Sequence, residues 1–240
     1  QMQTDYPPLF GPPQAAPASA LAAELAEDQP DGEPPPSSEP PPEGHRVRES
    51  SMQFQQWRSS GPSGDIAIFG TDETIHRITP GARHISNPVM SEAGLAFQVA
   101  RGWPYGYEIF VWKPGDTLLS QLTTNYFYAL NPDIHGQELV FQGWDGTDFE
   151  IFRYPFDTGN LEQITDNQFD DTHPVVWNGE IVWIAYPTIN AEIFHYREGE
   201  IRKISEDSQD NSHPSIWEGQ TVWQGYDDAD LEIYYFNGRR

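Results

Sequence analysis

Cysteine is absent from this 240-residue chain, so it can build no disulfide framework, thiolate metal site or cysteine nucleophile. Positive charge is scarce as well. Only 13 Lys and Arg face 37 Asp and Glu, a formal net charge of −24 at pH 7 that argues against nucleic-acid binding through a basic surface. No stretch approaches the roughly 18 consecutive apolar residues of a membrane span, and the amino terminus lacks a charged segment followed by an apolar one. Any export signal has then been removed or never existed, and a sequence that begins at Gln1 is expected to be a processed form or a piece of something longer. Gly-x-Ser-x-Gly, His-Glu-x-x-His and phosphate-loop patterns are also missing, which removes the commonest hydrolase and nucleotide signatures.

What is present divides near residue 44. Residues 1–44 hold 12 of the 22 prolines, no Lys or Arg, and only Tyr6 and Phe10 as aromatics. Such a segment cannot bury enough apolar surface to fold, so a disordered, acidic, Pro/Ala-rich tail or linker is expected there. Residues 18–28, with Leu21 and Leu25 one helical turn apart, form at most a marginal helix. Residues 45–240 carry the remaining aromatics, and their apolar residues come in short runs separated by turn residues, an all-β texture.

Four landmarks recur in this second part. Pro88, Pro132, Pro174 and Pro214 lie 44, 42 and 40 residues apart, preceded by Asn87, Asn131, His173 and His213. Nine residues after each comes an aromatic: Phe97, Phe141, Trp183 and Trp223. Next is a Glu-Ile-aromatic step, at Glu108-Ile109-Phe110, Glu150-Ile151-Phe152, Glu192-Ile193-Phe194 and Glu232-Ile233-Tyr234. Ile78-Thr79, Leu122-Thr123, Ile164-Thr165 and Ile204-Ser205 close the units, each starting ten residues before the following proline. Each unit thus offers four short strands, a to d, and four strands in roughly 42 residues predict a β-propeller blade. Upstream, Phe54-Gln55-Gln56-Trp57 matches Phe141-Gln142-Gly143-Trp144, with Val47 and residues 66–69 supplying strands a and c of a divergent first blade. The predicted blades are 45–79, 88–123, 132–165, 174–205 and 214–240. The last lacks its fourth strand, and truncation from a longer propeller is the expectation. An immunoglobulin-like sandwich is the competing architecture.

The run His213-Pro214-Ser215-Ile216-Trp217-Glu218-Gly219, followed by Val222-Trp223 and Asp230-Leu231-Glu232-Ile233-Tyr234, resembles the repeat of TolB-like and related extracellular propellers of bacterial and archaeal surface proteins. The resemblance covers residues 45–240. It departs after strand a, where TolB has Trp-Ser-Pro-Asp-Gly and this chain the shorter Trp177-Asn178-Gly179 and Trp217-Glu218-Gly219. It implies a propeller in an exported protein, extracellular, cell-surface or periplasmic. Repeats of this kind occur in scaffolds, adhesins and the non-catalytic domains of peptidases.

In a propeller the d-to-a and b-to-c loops emerge on one face, the top, and here both families are acidic. The first supplies Asp166, Asp170, Asp171, Glu206, Asp207 and Asp210, the second Asp145, Asp148, Asp227, Asp228 and Asp230. Carboxylates so gathered attract cations or a basic partner, and the competing reading is that Asp is simply a common turn residue. Calcium is the candidate ion, at Asp227, Asp228 and Asp230, with Asp145-Gly146-Thr147-Asp148 similarly spaced and Pro187-Thr188-Ile189-Asn190 breaking the series; neither acidic loop is an EF-hand, and no other cofactor is expected. Aromatic rings share the face: Trp103, Tyr105 and Tyr107 in one b-to-c loop, Tyr126 and Tyr128 in one d-to-a loop. With Asp145 and Asp148 they form the candidate ligand-binding set, the alternative being inter-blade packing. His173 and His213 share their repeat position with Asn87 and Asn131, which favours turn hydrogen bonding over metal binding or base catalysis. Some five-bladed propellers are glycosidases with paired carboxylates, but such a site breaks repeat symmetry, whereas Glu108, Glu150, Glu192 and Glu232 follow it. The sequence therefore predicts a non-enzymatic binding or scaffold propeller whose partner is a protein, peptide or glycan. The alternative is the substrate-gating propeller of a larger prolyl-oligopeptidase-like hydrolase.

Overall fold

The structure, a computed structural model, describes residues 53–58, 64–69, 75–77, 85–100, 106–124, 128–205, 209–227 and 230–238. All secondary structure among them is β, in five antiparallel sheets. The first contains β1 (Gln53–Arg58), β2 (Gly64–Phe69) and β3 (Ile75–Arg77), within a unit spanning residues 16–85. The other unit, from Ser86 onward, contains four sheets. The second sheet is β4 (Ile85–Ser91), β5 (Gly94–Ala100), β6 (Tyr107–Trp112) and β7 (Ser120–Gln121). The third is β8 (Ala129–His135), β9 (Glu138–Trp144), β10 (Phe149–Pro155) and β11 (Glu162–Gln163). The fourth is β12 (Asp171–Trp177), β13 (Glu180–Ala185), β14 (Glu192–Arg197) and β15 (Glu200–Lys203). The fifth has three strands among the described residues, β16 (Asn211–Trp217), β17 (Gln220–Tyr226) and β18 (Leu231–Phe236). In every sheet the strands lie side by side in chain order, the meander expected of a blade. The tail at residues 1–44 and the proposed strand at Val47 fall outside the described residues.

Two of the sequence landmarks are cross-strand partners. Phe97 pairs with Phe110, Phe141 with Phe152, Trp183 with Phe194 and Trp223 with Tyr234. Their rings stack at centroid distances of 5.9, 5.6, 6.0 and 5.8 Å. Directly opposed aromatics on adjacent strands are the sheet's strongest side-chain pairs, which accounts for their fixed spacing in the chain. These rings also join successive sheets. Trp183 packs with Val140 and Ile151 of the preceding sheet, and Trp223 with Ile184 and Ile193. Strands β5, β9 and β13 are consequently buried on both faces, while β17 alternates and the last sheet exposes Val222, Ile233 and Tyr235.

The Asn-Pro and His-Pro steps mark a one-residue bulge in strand a. The register slips between Leu130 and Asp133, Thr172 and Val175, and Ser212 and Ser215. In the bulge Asn87, Asn131, His173 and His213 adopt φ values of 49°, 51°, 52° and 52°. This left-handed region is tolerated best, after Gly, by residues such as Asn and His, and a bulge is where a strand admits proline. The Asn/His interchange therefore has a backbone cause. Side chains then tie the bulges together: Gln142 Oε1 accepts from Asn131 Nδ2 at 2.8 Å and from the backbone N of His173, one sheet further on, at 2.9 Å. Gln98 Oε1 accepts equivalently from Asn87 Nδ2 and Asn131 N, both at 3.1 Å. Asn131→Ala should cost roughly 1–3 kcal/mol in urea unfolding, from the left-handed backbone plus the lost bond, and Asn131→Gly less. Equal costs for the two variants would contradict the backbone part of this account.

Strand a turns into strand b through Asn178-Gly179, with φ of 47° and 85°, a two-residue hairpin turn whose twist matches the strands. Glu218-Gly219 repeats it. This is the structural content of the shortened loop seen in the sequence. One expectation is corrected: the Ile-Thr steps do not form strand d but follow it. The backbone N–H groups of Leu122, Ile164 and Ile204 donate to the carbonyls of Ile109, Ile151 and Ile193 at 2.8, 2.7 and 2.8 Å. The next hydroxyls, of Thr123, Thr165 and Ser205, accept from the N–H of the same isoleucines at 2.9, 2.8 and 3.0 Å. The step is thus a clamp on strand c, which explains its rigid distance from the Glu-Ile landmark.

Candidate functional site

The b-to-c and d-to-a loops meet at one end of the third and fourth sheets. Phe149 N donates to Asp170 Oδ1 at 3.0 Å, joining the b-to-c and d-to-a loops of the third sheet, and Ala191 N to Asp210 Oδ1 at 2.9 Å does the same in the fourth. Asp170 and Asp210 are therefore turn hydrogen-bonders, as local Asp chemistry favours. Asp171 is not on the surface at all. It is 1% exposed, and its carboxylate accepts from Trp183 Nε1 at 2.8 Å and Asn167 Nδ2 at 2.6 Å. Asn211 takes the same place under Trp223 Nε1, at 2.8 Å. Where the aromatic is Phe97 or Phe141, with no N–H to satisfy, the corresponding residues are Ile85 and Ala129. The acidic face is thereby narrower than the loop sequences suggested.

Of the candidate ligand-binding residues, Trp103, Tyr105 and Tyr126 lie outside the described residues, as does Asp228. Tyr107 opens β6 and is half-buried; Tyr128 is exposed, with its ring 6.3 Å from that of Tyr107. Trp144 N donates to Tyr128 O at 3.0 Å, which brings the start of the next b-to-c loop to the same place. Sequence reasoning missed Tyr186 and Tyr226, both exposed and each three residues after the landmark tryptophan, as Trp144 follows Phe141. Repeat alignment could have found them. Asp227 and Asp230 are exposed, and with Glu232 they place carboxylate oxygens within 4.8 Å of one another.

The third sheet gathers a second carboxylate group, Asp145, Glu150 and Asp166, with oxygens also within 4.8 Å of one another. Asp145 organises its own loop, since Oδ1 accepts from Thr147 N at 2.7 Å and Asp148 N at 3.3 Å. Glu150 has no exposed surface; one oxygen accepts from Asn167 N at 2.8 Å and the other, Oε2, has no partner. Asp148 is buried beside it, and its Oδ1 also lacks a partner. Burial pushes the Glu150 carboxyl up to about 7, with the nearby Thr165 hydroxyl and the Asn167 N–H opposing the rise and the charges of Asp171 and Asp148 adding to it. Asp148 is raised by burial too, and by Asp145, Asp170 and Asp166. Among these residues the sequence had singled out Asp145 and Asp148 as ligand-binding and as suggestively spaced for calcium, Asp166 only as a loop acid and Glu150 only as a repeat element.

No protein-family model matches the chain, and no curated protein matches it. Solved structures do. The propeller domain of the trilobed protease from Pyrococcus furiosus superposes with a TM-score of 0.63 at 15% identity, over 79% of this chain and 64% of that one. TolB from Acinetobacter baumannii gives 0.56 at 12% identity, over 77% and 49%. The acylaminoacyl peptidase of Pyrococcus horikoshii gives 0.57 at 16% identity, over 73% and 29%. The fold is a β-propeller. At this level of identity the likeness concerns the blades alone, and the chain spans about half of that TolB and under a third of that peptidase. The four sheets from Ser86 onward have the meander of propeller blades, and the ends at which Asp170 and Asp210 join the loops of the third and fourth sheets lie on the top face.

Proposed function

We propose that this propeller is a non-enzymatic binding domain of an exported protein, which recognises a basic protein or peptide segment through its acidic, aromatic top face. The observation that carries the reading is the exposed Tyr128 beside Tyr107, with Tyr186 and Tyr226 exposed in the loops of the following blades and Asp145, Asp227 and Asp230 among them. Aromatic rings on fixed loops provide contact area at small entropic cost, and surrounding carboxylates favour Lys and Arg while steering association. The strand-c glutamates Glu108, Glu150, Glu192 and Glu232 follow the repeat rather than breaking it, which supports binding over catalysis. The proline-rich residues 1–44 serve in this reading as a spacer.

A panel of immobilised peptides, basic and neutral, with and without aromatics, tests the proposal alongside a glycan panel. Tyr107→Ala/Tyr128→Ala and Asp227→Lys/Asp230→Lys should each leave thermal unfolding nearly unchanged and weaken binding to basic peptides at least tenfold, with affinity falling as salt rises. Binding indifferent to both double variants, or restricted to glycans, would reject it. The likeness to peptidase domains supports a second reading, a gating propeller. An α/β-hydrolase pattern encoded beyond Arg240 would favour that reading, and further repeats the binding domain.

A further inference from the structure

The repeat provides an internal control for its own buried glutamate. In the fourth blade Glu192, 5% exposed, lies against the ammonium of Lys203, with Nζ 2.5 Å from Oε1, and Ser205 Oγ donates to Oε2 at 2.5 Å. That buried carboxylate carries its counter-charge within the blade. In the third blade the position of Lys203 is taken by Gln163, whose Nε2 is turned to the carbonyl of Thr165 at 2.8 Å. Among the described residues no ammonium or guanidinium pairs with Glu150 or Asp148. Negative charge increases instead, because Pro187 and Asn190 of the fourth blade's loop correspond to Asp145 and Asp148 in the third.

Two carboxylate oxygens of this loop and strand, Glu150 Oε2 within the group and Asp148 Oδ1 outside it, are buried without a hydrogen-bond partner, on residues 0% and 7% exposed. Desolvated carboxylates in that state require a proton or a cation. The group is graded outward, from buried Glu150 through half-buried Asp145 to exposed Asp166, so an ion has a path from solvent. The separation of the donor oxygens, none more than 4.8 Å apart, is what two ligands on opposite sides of an ion at about 2.4 Å allow.

We propose that the third blade holds one calcium ion, bound by the carboxylates of Asp145, Glu150 and Asp166 with Asp148 alongside. All donors are oxygens, and their irregular arrangement on one strand and two loops suits calcium, which accepts six to eight oxygen ligands, better than octahedral magnesium. The ion would stand where Lys203 stands for Glu192. The fifth blade repeats the motif as Asp227, Asp230 and Glu232, but all three are exposed and show no buried oxygen in need of a charge. This inference shares Asp145 with the top-face reading but does not rest on a partner binding there.

The test titrates the full chain with calcium chloride in a calorimeter at pH 7.5, and follows thermal unfolding with calcium or with chelator. One ion per chain is expected, together with a rise in the midpoint of about 5 °C near saturation. Asp145→Asn and Asp166→Asn should each weaken calcium binding at least tenfold, whereas Asp227→Asn should leave it unchanged. Asp166 is exposed, so its variant keeps the test decisive if Asp145→Asn fails to fold. No binding by the wild-type chain, loss on Asp227→Asn instead, or a midpoint shift indifferent to all three variants would overturn the proposal.

Discussion

Trp183→Ala is expected to destabilise the protein by about 3–5 kcal/mol in denaturant unfolding, the range for truncating a large buried aromatic. Trp183 is fully buried, packs against Val140 and Ile151 of the preceding blade, and stacks on Phe194 of its own. The loss therefore opens a cavity at a junction between blades. A second cost comes from Asp171, whose buried carboxylate would lose the indole N–H. Trp183→Phe separates the two, since it keeps the stack and removes the donor. The double change Trp183→Phe/Asp171→Ala copies the Phe141 and Ala129 pair of the third blade, and should be less destabilising than the sum of its parts. A Trp183→Ala cost below about 1 kcal/mol, or strictly additive singles, would contradict this account.

Glu150→Gln should change the pH dependence of stability more than any other single carboxylate replacement. The folded protein raises this group from 4.5 to about 7, so folding favours its protonated form. The associated stability is complete below about pH 4.5, is lost as pH rises toward 7, and is absent above it. A shift of that size corresponds to roughly 3 kcal/mol between the two limits. With chelator present, the wild-type chain should lose stability across this window while Glu150→Gln loses distinctly less, and at pH 8 the variant should be the more stable by about 1–3 kcal/mol. Asp133, Asp148 and Asp171 are raised in the same direction by burial and act on both proteins. Asp148 and Asp171 are coupled to Glu150, so the difference between the two curves reports Glu150 together with that coupling. Parallel curves would show that Glu150 is not held out of water.

The repeat was legible because its landmarks are strand-level devices. The aromatic of strand b and that of strand c face each other across one ladder, and the Thr or Ser hydroxyl clamps the isoleucine of strand c. Such contacts are local to one meander, so their spacing survives in the chain. Only the role of the Ile-Thr step was misread, because a clamp just beyond a strand has the same composition as the strand. The Asn/His interchange before proline was correctly a sign of structure, though its cause, a left-handed bulge, is a backbone property that residue type alone only suggests.

By itself the sequence determined the all-β class and the blade unit, since period-two burial, turn chemistry and repeat spacing are written in short segments. Only the tertiary structure decided which carboxylates are available. Asp170 and Asp210 cap neighbouring strands, Asp171 is buried beneath an indole, and Asp166 stays exposed, although three of these are neighbours in the chain. Glu150 acquires Asp145 and Asp166 as neighbours only when two loops close over the end of strand c. Burial, and with it the energy of an ionised group, depends on that closure and on which side chain of the adjoining strand is near enough to neutralise it. A lysine in one blade and a glutamine in the next make that difference.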